Sequence, residues 1–117
     1  MNLNKAKTLC RSFPGATEDI KWSDALVFSV GTKMFAITGS GPDSRRICFK
    51  VDDDAFLALT DRPGIVPAPY LARVKWVQIA DLKAVSDAEA AQLLTRAYEL
   101  VFAKLTKKLQ REIAEAA

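Results

Sequence analysis

The apolar positions among the first thirteen residues are Leu3, Ala6, Leu9, Cys10 and Phe13. Steps of three and four place them on one stripe of an α-helix. Pro14 and Gly15 follow and stop it, so the spacing predicts an amphipathic helix over residues 3–13 with Lys5, Lys7 and Arg11 on its wet side. Residues 16–24, with Glu18, Asp19 and Asp24 against Lys21, lead into a Val- and Phe-rich run at 25–31. That run reads as a strand, followed by a tight turn at Gly31, Thr32 and Lys33 and a second strand from Met34 to Thr38, together a hairpin. Gly39, Ser40, Gly41, Pro42 and Asp43 form a turn cluster. Residues 45–51 then alternate, Ile47, Phe49 and Val51 pointing to the core and Arg46, Cys48 and Lys50 to water.

Asp52 or Asp53 is placed to cap a short helix over residues 54–59. Residues 62–70 hold three of the five prolines. Each lacks an N–H and forces the residue before it toward extended geometry, so a semi-rigid loop is expected. A further strand is expected over 73–80, with Val77 and Ile79 on one side and Trp76 and Gln78 on the other. Ser86 and Glu89 have capping-box spacing and open a long helix whose apolar positions are Ala90, Leu94, Ala97, Val101 and Leu105. Leu109 and Ile113 share a face beyond it, which extends the helix into a helical tail over 106–117. This order is not the alternation of a parallel sheet. It predicts one α+β domain over residues 1–117, a two-layer arrangement of an antiparallel sheet with helices on one face and the other face open.

Composition narrows the chemistry. The chain has 117 residues, half of them hydrophobic, enough for a core without staples. It contains no histidine, which removes the commonest general base, zinc ligand and switch near neutral pH. Cys10 and Cys48 have neither redox-pair nor metal-site spacing and read as free thiols of a reducing compartment. No apolar run has signal-peptide length, and none approaches the roughly 20 residues of a membrane helix. A cytoplasmic protein without membrane contact, metal or cofactor is expected. The net charge of +3 is compatible with a polyanionic partner but does not demand one.

Three stretches carry a family likeness: Phe-Pro-Gly-Ala-Thr-Glu-Asp at 13–19, Val-Phe-Ser-Val-Gly-Thr-Lys-Met-Phe-Ala at 27–36, and Pro-Gly-Ile-Val-Pro-Ala-Pro-Tyr through Lys75-Trp76-Val77. In this order they resemble the small bacterial MmcQ/YjbR family, over residues 3–105. The resemblance implies a secretion-chaperone-like α+β fold and a DNA-binding role, with no enzymatic activity. Many relatives carry a histidine just before the tryptophan, where this chain has Lys75.

Two constellations fit nucleic acid. Arg62, Tyr70, Arg73, Lys75 and Trp76 combine cations for phosphates with aromatic faces for unpaired bases, in a stretch without an acidic residue. The alternative is that both rings pack beneath the proline loop and the cations are merely solvated. Arg45, Arg46 and Lys50 on the wet face of the third strand, joined by Lys33 from the hairpin turn, would gather into a basic patch. Asp43 and Asp52 to Asp54 oppose it, and a strand edge protected by charge accounts for the same residues. Cys48 lies between Arg46 and Lys50, cations that would favour its thiolate, but a passive half-buried cysteine is the reading preferred for it. The carboxylates match no calcium loop, and Gly39-Ser40-Gly41 lacks the helix and lysine of a phosphate-binding loop.

The leading expectation is a non-enzymatic domain that contacts DNA with weak sequence preference through these nine residues. A protein-interaction or chaperone-like module, docking partners on the open sheet face or the proline loop as a homodimer, is the alternative. A small-molecule pocket beneath the loop has no convergent polar groups in the sequence to support it.

Overall fold

In the computed structural model, which describes residues 1–41 and 44–116, the N-terminal stripe forms helix α1 (Leu3–Ser12). The Asn2 side chain caps it by accepting from the Lys5 N–H, and Ala6 and Cys10 are its buried residues. Then follow β1 (Ala16–Lys21), β2 (Ala25–Val30), β3 (Lys33–Gly39), β4 (Ile47–Lys50), α2 (Asp53–Thr60), β5 (Ile65–Pro67), β6 (Trp76–Ile79), α3 (Asp87–Phe102) and α4 (Lys107–Ala116). Single 3-10 turns lie at Ala72–Val74 and Leu82–Ala84. The strands form one sheet in the order β1-β2-β3-β4-β6-β5, every neighbouring pair antiparallel. The α+β fold with an open antiparallel sheet is the one expected. Pro42 and Asp43 of the expected turn lie outside the described residues.

The helices cover one sheet face. Phe28, Phe35, Phe49, Ile47, Ile79 and Val77 point into that layer and meet Leu94, Ala97 and Val101 of α3. Phe35 is central to its aromatic part, with ring centroids 5.8 Å from Phe13, 6.4 Å from Phe28 and 5.6 Å from Tyr98. A bulge between Phe28 and Ser29 of β2 makes room for it. Phe28 pairs with Ala36 and Ser29 with Met34, which leaves Phe35 as the extra residue of β3.

Four expectations are corrected. The acidic segment after α1 is an edge strand, β1, exposed over all but Ala16 and held by its ladder to β2. The proline loop contains β5, and it lies at the opposite edge of the sheet, where a residue that cannot donate to a ladder is tolerated. Residues 72–75 form a 3-10 turn ending in left-handed Lys75 (φ 63°), so the following strand starts only at Trp76. The long helix ends at Phe102, and α4 is a separate helix. Thr106 Oγ1 accepts from the Leu109 N–H at 3.2 Å, while the Gln110 amide donates to the carbonyls of Ala103 and Leu105. Leu109 and Ile113 anchor α4 against two glycines. A Cβ on Gly31 (φ 55°) would stand 2.7 Å from Leu105 and 2.9 Å from Leu109, and one on Gly15 (φ 73°) 2.9 Å from Ile113.

Ion pairs tie the layers. Asp52 takes the cap position of α2, but its carboxylate accepts two bonds of 2.9 Å from Arg96 of α3 instead of capping. Ser86 caps α3 by accepting from the Glu89 N–H. The Glu89 carboxylate accepts from both terminal nitrogens of Arg62, at 2.7 and 2.9 Å. These hydrogen bonds hold the Asp52 and Glu89 carboxyls below the usual carboxylate range. A depressed folded-state value contributes stability above the unfolded value that is lost as pH falls through the folded one. The urea midpoint is therefore expected to stay flat from neutral pH to about pH 5 and to fall below about pH 4, less steeply in Asp52→Asn. An identical acid limb in that variant would exclude the pair as a source.

Candidate functional site

On the sheet face away from the helices one row runs across four strands in register: Val27, which is buried, then Ile37, Cys48 and Gln78. At about 4.8 Å per strand the row is about 14 Å long. A concave cleft of about 580 Å³ opens above it. Met34, Ile37, Cys48 and Leu71 form its apolar floor and wall, and Asp24, Arg46 and Gln78 bring polar groups to it. Gln78 Oε1 lies 3.5 Å from the Cys48 thiol, which donates to it.

Two aromatic residues stand at the rim. Trp22, in the turn joining β1 to β2, is 66% exposed, and Tyr70, in the loop after β5, is fully exposed at 103%. Both have left-handed backbones, φ 52° and 66°. Ser23 beside Trp22 does too, at φ 67°. A bulky L-residue pays about 1–2 kcal/mol in that region, and such outliers concentrate at ligand clamps and switch segments. Neither ring recovers the cost by burial.

The nine residues singled out from the sequence are not brought together. Arg46 and Tyr70 line the cleft. Arg45 adjoins it in a hollow shared with Arg46, Ser40 and Gln78, its guanidinium donating to the Ser44 carbonyl. Lys33 is exposed where β3 begins, opposite Val30. Lys50 lies at the far end of β4, about 13 Å along the strand from Arg46, and its ammonium donates to the Val74 carbonyl. Burial, and then the neighbouring Lys104, push that ammonium below the usual lysine range. Lys75 is at the same end, its Nζ 5.1 Å from the centre of the Phe56 ring. Arg73 is exposed on the adjoining 3-10 turn. The single basic platform expected from the sequence is thus divided between the two ends of β4.

Two of the nine are otherwise engaged. Arg62 is partly exposed, but its guanidinium is occupied by Glu89 and the Ala84 carbonyl. Trp76 is only 4% exposed, and its backbone pairs with Lys50, Ala68 and Leu71, so its face cannot stack on a base. Cys48 is half-buried, as preferred: burial pushes its thiol up, and the opposing influence of Arg46 is the smaller one. Cys10 is pushed up to about 12 by burial alone against Arg11. Trp22 was not singled out from the sequence, and Asp24 figured there only among the carboxylates that match no metal loop. The available signal was a tryptophan in a polar connection, outside any apolar period. Among the described residues no helix is long and apolar enough to cross a membrane.

A search of curated proteins returns no match. Among solved structures, Deinococcus radiodurans protein DR2400, described as a DUF419 domain, superposes with a TM-score of 0.83 at 27% identity, over 97% of this chain and 88% of that one. A protein from Pseudomonas syringae superposes with a TM-score of 0.70 at 20% identity, over 86% of this chain and 99% of that one, which shows the shared fold. The YjbR family model matches residues 11–100, from the end of α1 through most of α3. The chain belongs to the YjbR family.

Proposed function

We propose that this chain binds single-stranded nucleic acid on the uncovered sheet face and carries out no reaction on it. The observation that carries this reading is the pair of exposed rings, Trp22 and Tyr70, at the rim of one cleft that also holds the Arg46 guanidinium. Among the described residues that guanidinium makes no ion pair. Base faces stack on aromatic side chains whatever the sequence, while cations track the phosphates. Arg45 lies beside the cleft, and Lys50 at the far end of β4 and Arg73 on the adjoining 3-10 turn supply cations beyond it. Single strands suit this arrangement better than duplex, since rings on a sheet rim can reach only unpaired bases. The YjbR family is not a known enzyme family, which supports binding without catalysis.

Fluorescence anisotropy with a labelled oligothymidylate and with a duplex of equal length tests the reading. The single strand should bind more tightly, with log affinity falling against log salt at a slope of about −2 to −3, as three or four neutralised phosphates require at about −0.7 each. Absence of binding to either at low salt would remove the proposal. The apolar floor of Met34, Ile37 and Leu71 supports a second reading, in which an extended protein segment docks in the same cleft. A salt slope near zero for any ligand found would favour it.

A further inference from the structure

Resting on that reading, we infer that the cleft seats one guanine base and that Asp24 is the residue that selects it. Asp24 and Arg46 line the same cleft from the approaches to two different strands. Asp24 immediately precedes β2, its carbonyl accepting from the Ser40 N–H, and Arg46 immediately precedes β4. Gly39 of β3 lies between them and also lines the cleft. Two inter-strand spacings separate their backbones by about 10 Å, room for one base with a hydrogen-bonding group at either side. Neither charged group is in an ion pair among the described residues, so the cleft presents an anion and a cation that do not neutralise each other.

The chemistry of the three polar groups points to one base. A carboxylate only accepts and a guanidinium only donates. Gln78 receives the Cys48 thiol on Oε1, which leaves its amide N–H groups to donate. The base that satisfies the set must offer two neighbouring donors to Asp24 and acceptors to Arg46 and Gln78. Guanine does so, with N1–H and N2–H₂ on one edge and O6 and N7 beside it. Adenine and thymine each place a single donor group between acceptors, and cytosine has one donor group. Any of those would leave the Asp24 carboxylate half unpaired inside the cleft, and groups left unpaired in this way are what make hydrogen-bonded recognition selective. Trp22 and Tyr70 hold the base by its faces, which adds affinity without choosing among bases.

The test compares an oligothymidylate with a strand of equal length in which every third base is guanine, in lithium salt so that guanines do not self-associate. Binding is followed by anisotropy and by quenching of Trp22, the exposed tryptophan of the two. The guanine-bearing strand should bind about tenfold more tightly, the discrimination expected of a two-point contact. In Asp24→Asn the ratio should collapse toward one while affinity for oligothymidylate rises, because a negative charge beside the phosphates is gone. Free guanosine 5′-monophosphate should compete better than adenosine 5′-monophosphate. Equal affinity of the wild-type chain for both strands would overturn the guanine inference and leave single-strand binding standing. A guanine preference that persists in Asp24→Asn would overturn Asp24 as the selecting residue. Failure of every strand to bind would overturn the proposed function, and the inference with it.

Discussion

Phe35→Ala is expected to lower the unfolding free energy by about 3–5 kcal/mol, the usual cost of emptying a buried phenylalanine site. A domain of ordinary stability has only about 5–15 kcal/mol in total, so this one change would remove much of it. The size follows from position: Phe35 is fully buried and meets three rings at once, Phe13 at the end of α1, Phe28 of β2 and Tyr98 of α3. Its loss opens a void shared by three elements, and no single neighbour can move in without leaving another contact. Urea denaturation followed by far-UV circular dichroism measures it. A loss under 1 kcal/mol would show that the aromatic cluster can collapse around the gap and is not the keystone its geometry makes it.

The double variant Trp22→Ala/Tyr70→Ala is expected to weaken binding of an oligothymidylate by about 2–6 kcal/mol, taking about 1–3 kcal/mol per stacked base, which is a loss of about 30-fold or more. Its thermal midpoint should hardly move, since neither ring is buried. This opposition of effects, large on binding and small on folding, is the reverse of what Phe35→Ala should do. Anisotropy titrations paired with thermal melts read both. Affinity within twofold of the wild-type chain would show that the rims do not touch the ligand.

The elements legible in the sequence are those whose side chains obey one period and meet one core. The stripe of α1, the hairpin of β2 and β3, the alternation at Ile47, Cys48, Phe49 and Lys50, and the Ser86 cap of α3 all emerged as expected. What escaped was held by tertiary pairing. In β1 most side chains are solvated, so no burial pattern is written into Glu18, Asp19 and Lys21, and the ladder to β2 alone makes it a strand. The end of α3 escaped for the opposite reason: Leu105, Leu109 and Ile113 keep a near-helical spacing across the break and bury on the same core. The hydrophobic pattern runs through a turn that Thr106 and Gln110 set by hydrogen bonding.

The site was legible only in part, because residue type does not report direction. Arg62 and Arg46 are equally basic in sequence, yet Glu89, 27 residues further on, pairs with one of them. Tyr70 and Trp76 are both aromatic residues near prolines. Tyr70, at a left-handed turn, has its ring fully exposed, while Trp76, on a paired strand, has its ring buried. Trp22 was obscured by sitting in a segment that carried no period.

The bulge at Phe35 has an effect beyond the core it fills. Met34 and Ile37 differ by an odd number of positions, and in an unbroken strand they would face opposite sides. The extra residue places both on the cleft. Removing the extra residue would leave Met34 and Ile37 two positions apart in an unbroken ladder, still on the cleft, while it emptied the site that Phe35 fills in the core. The bulge thus lets β3 deliver one more aromatic ring to the helical layer while the opposite face keeps its register, so the two faces of the sheet can vary independently at this point.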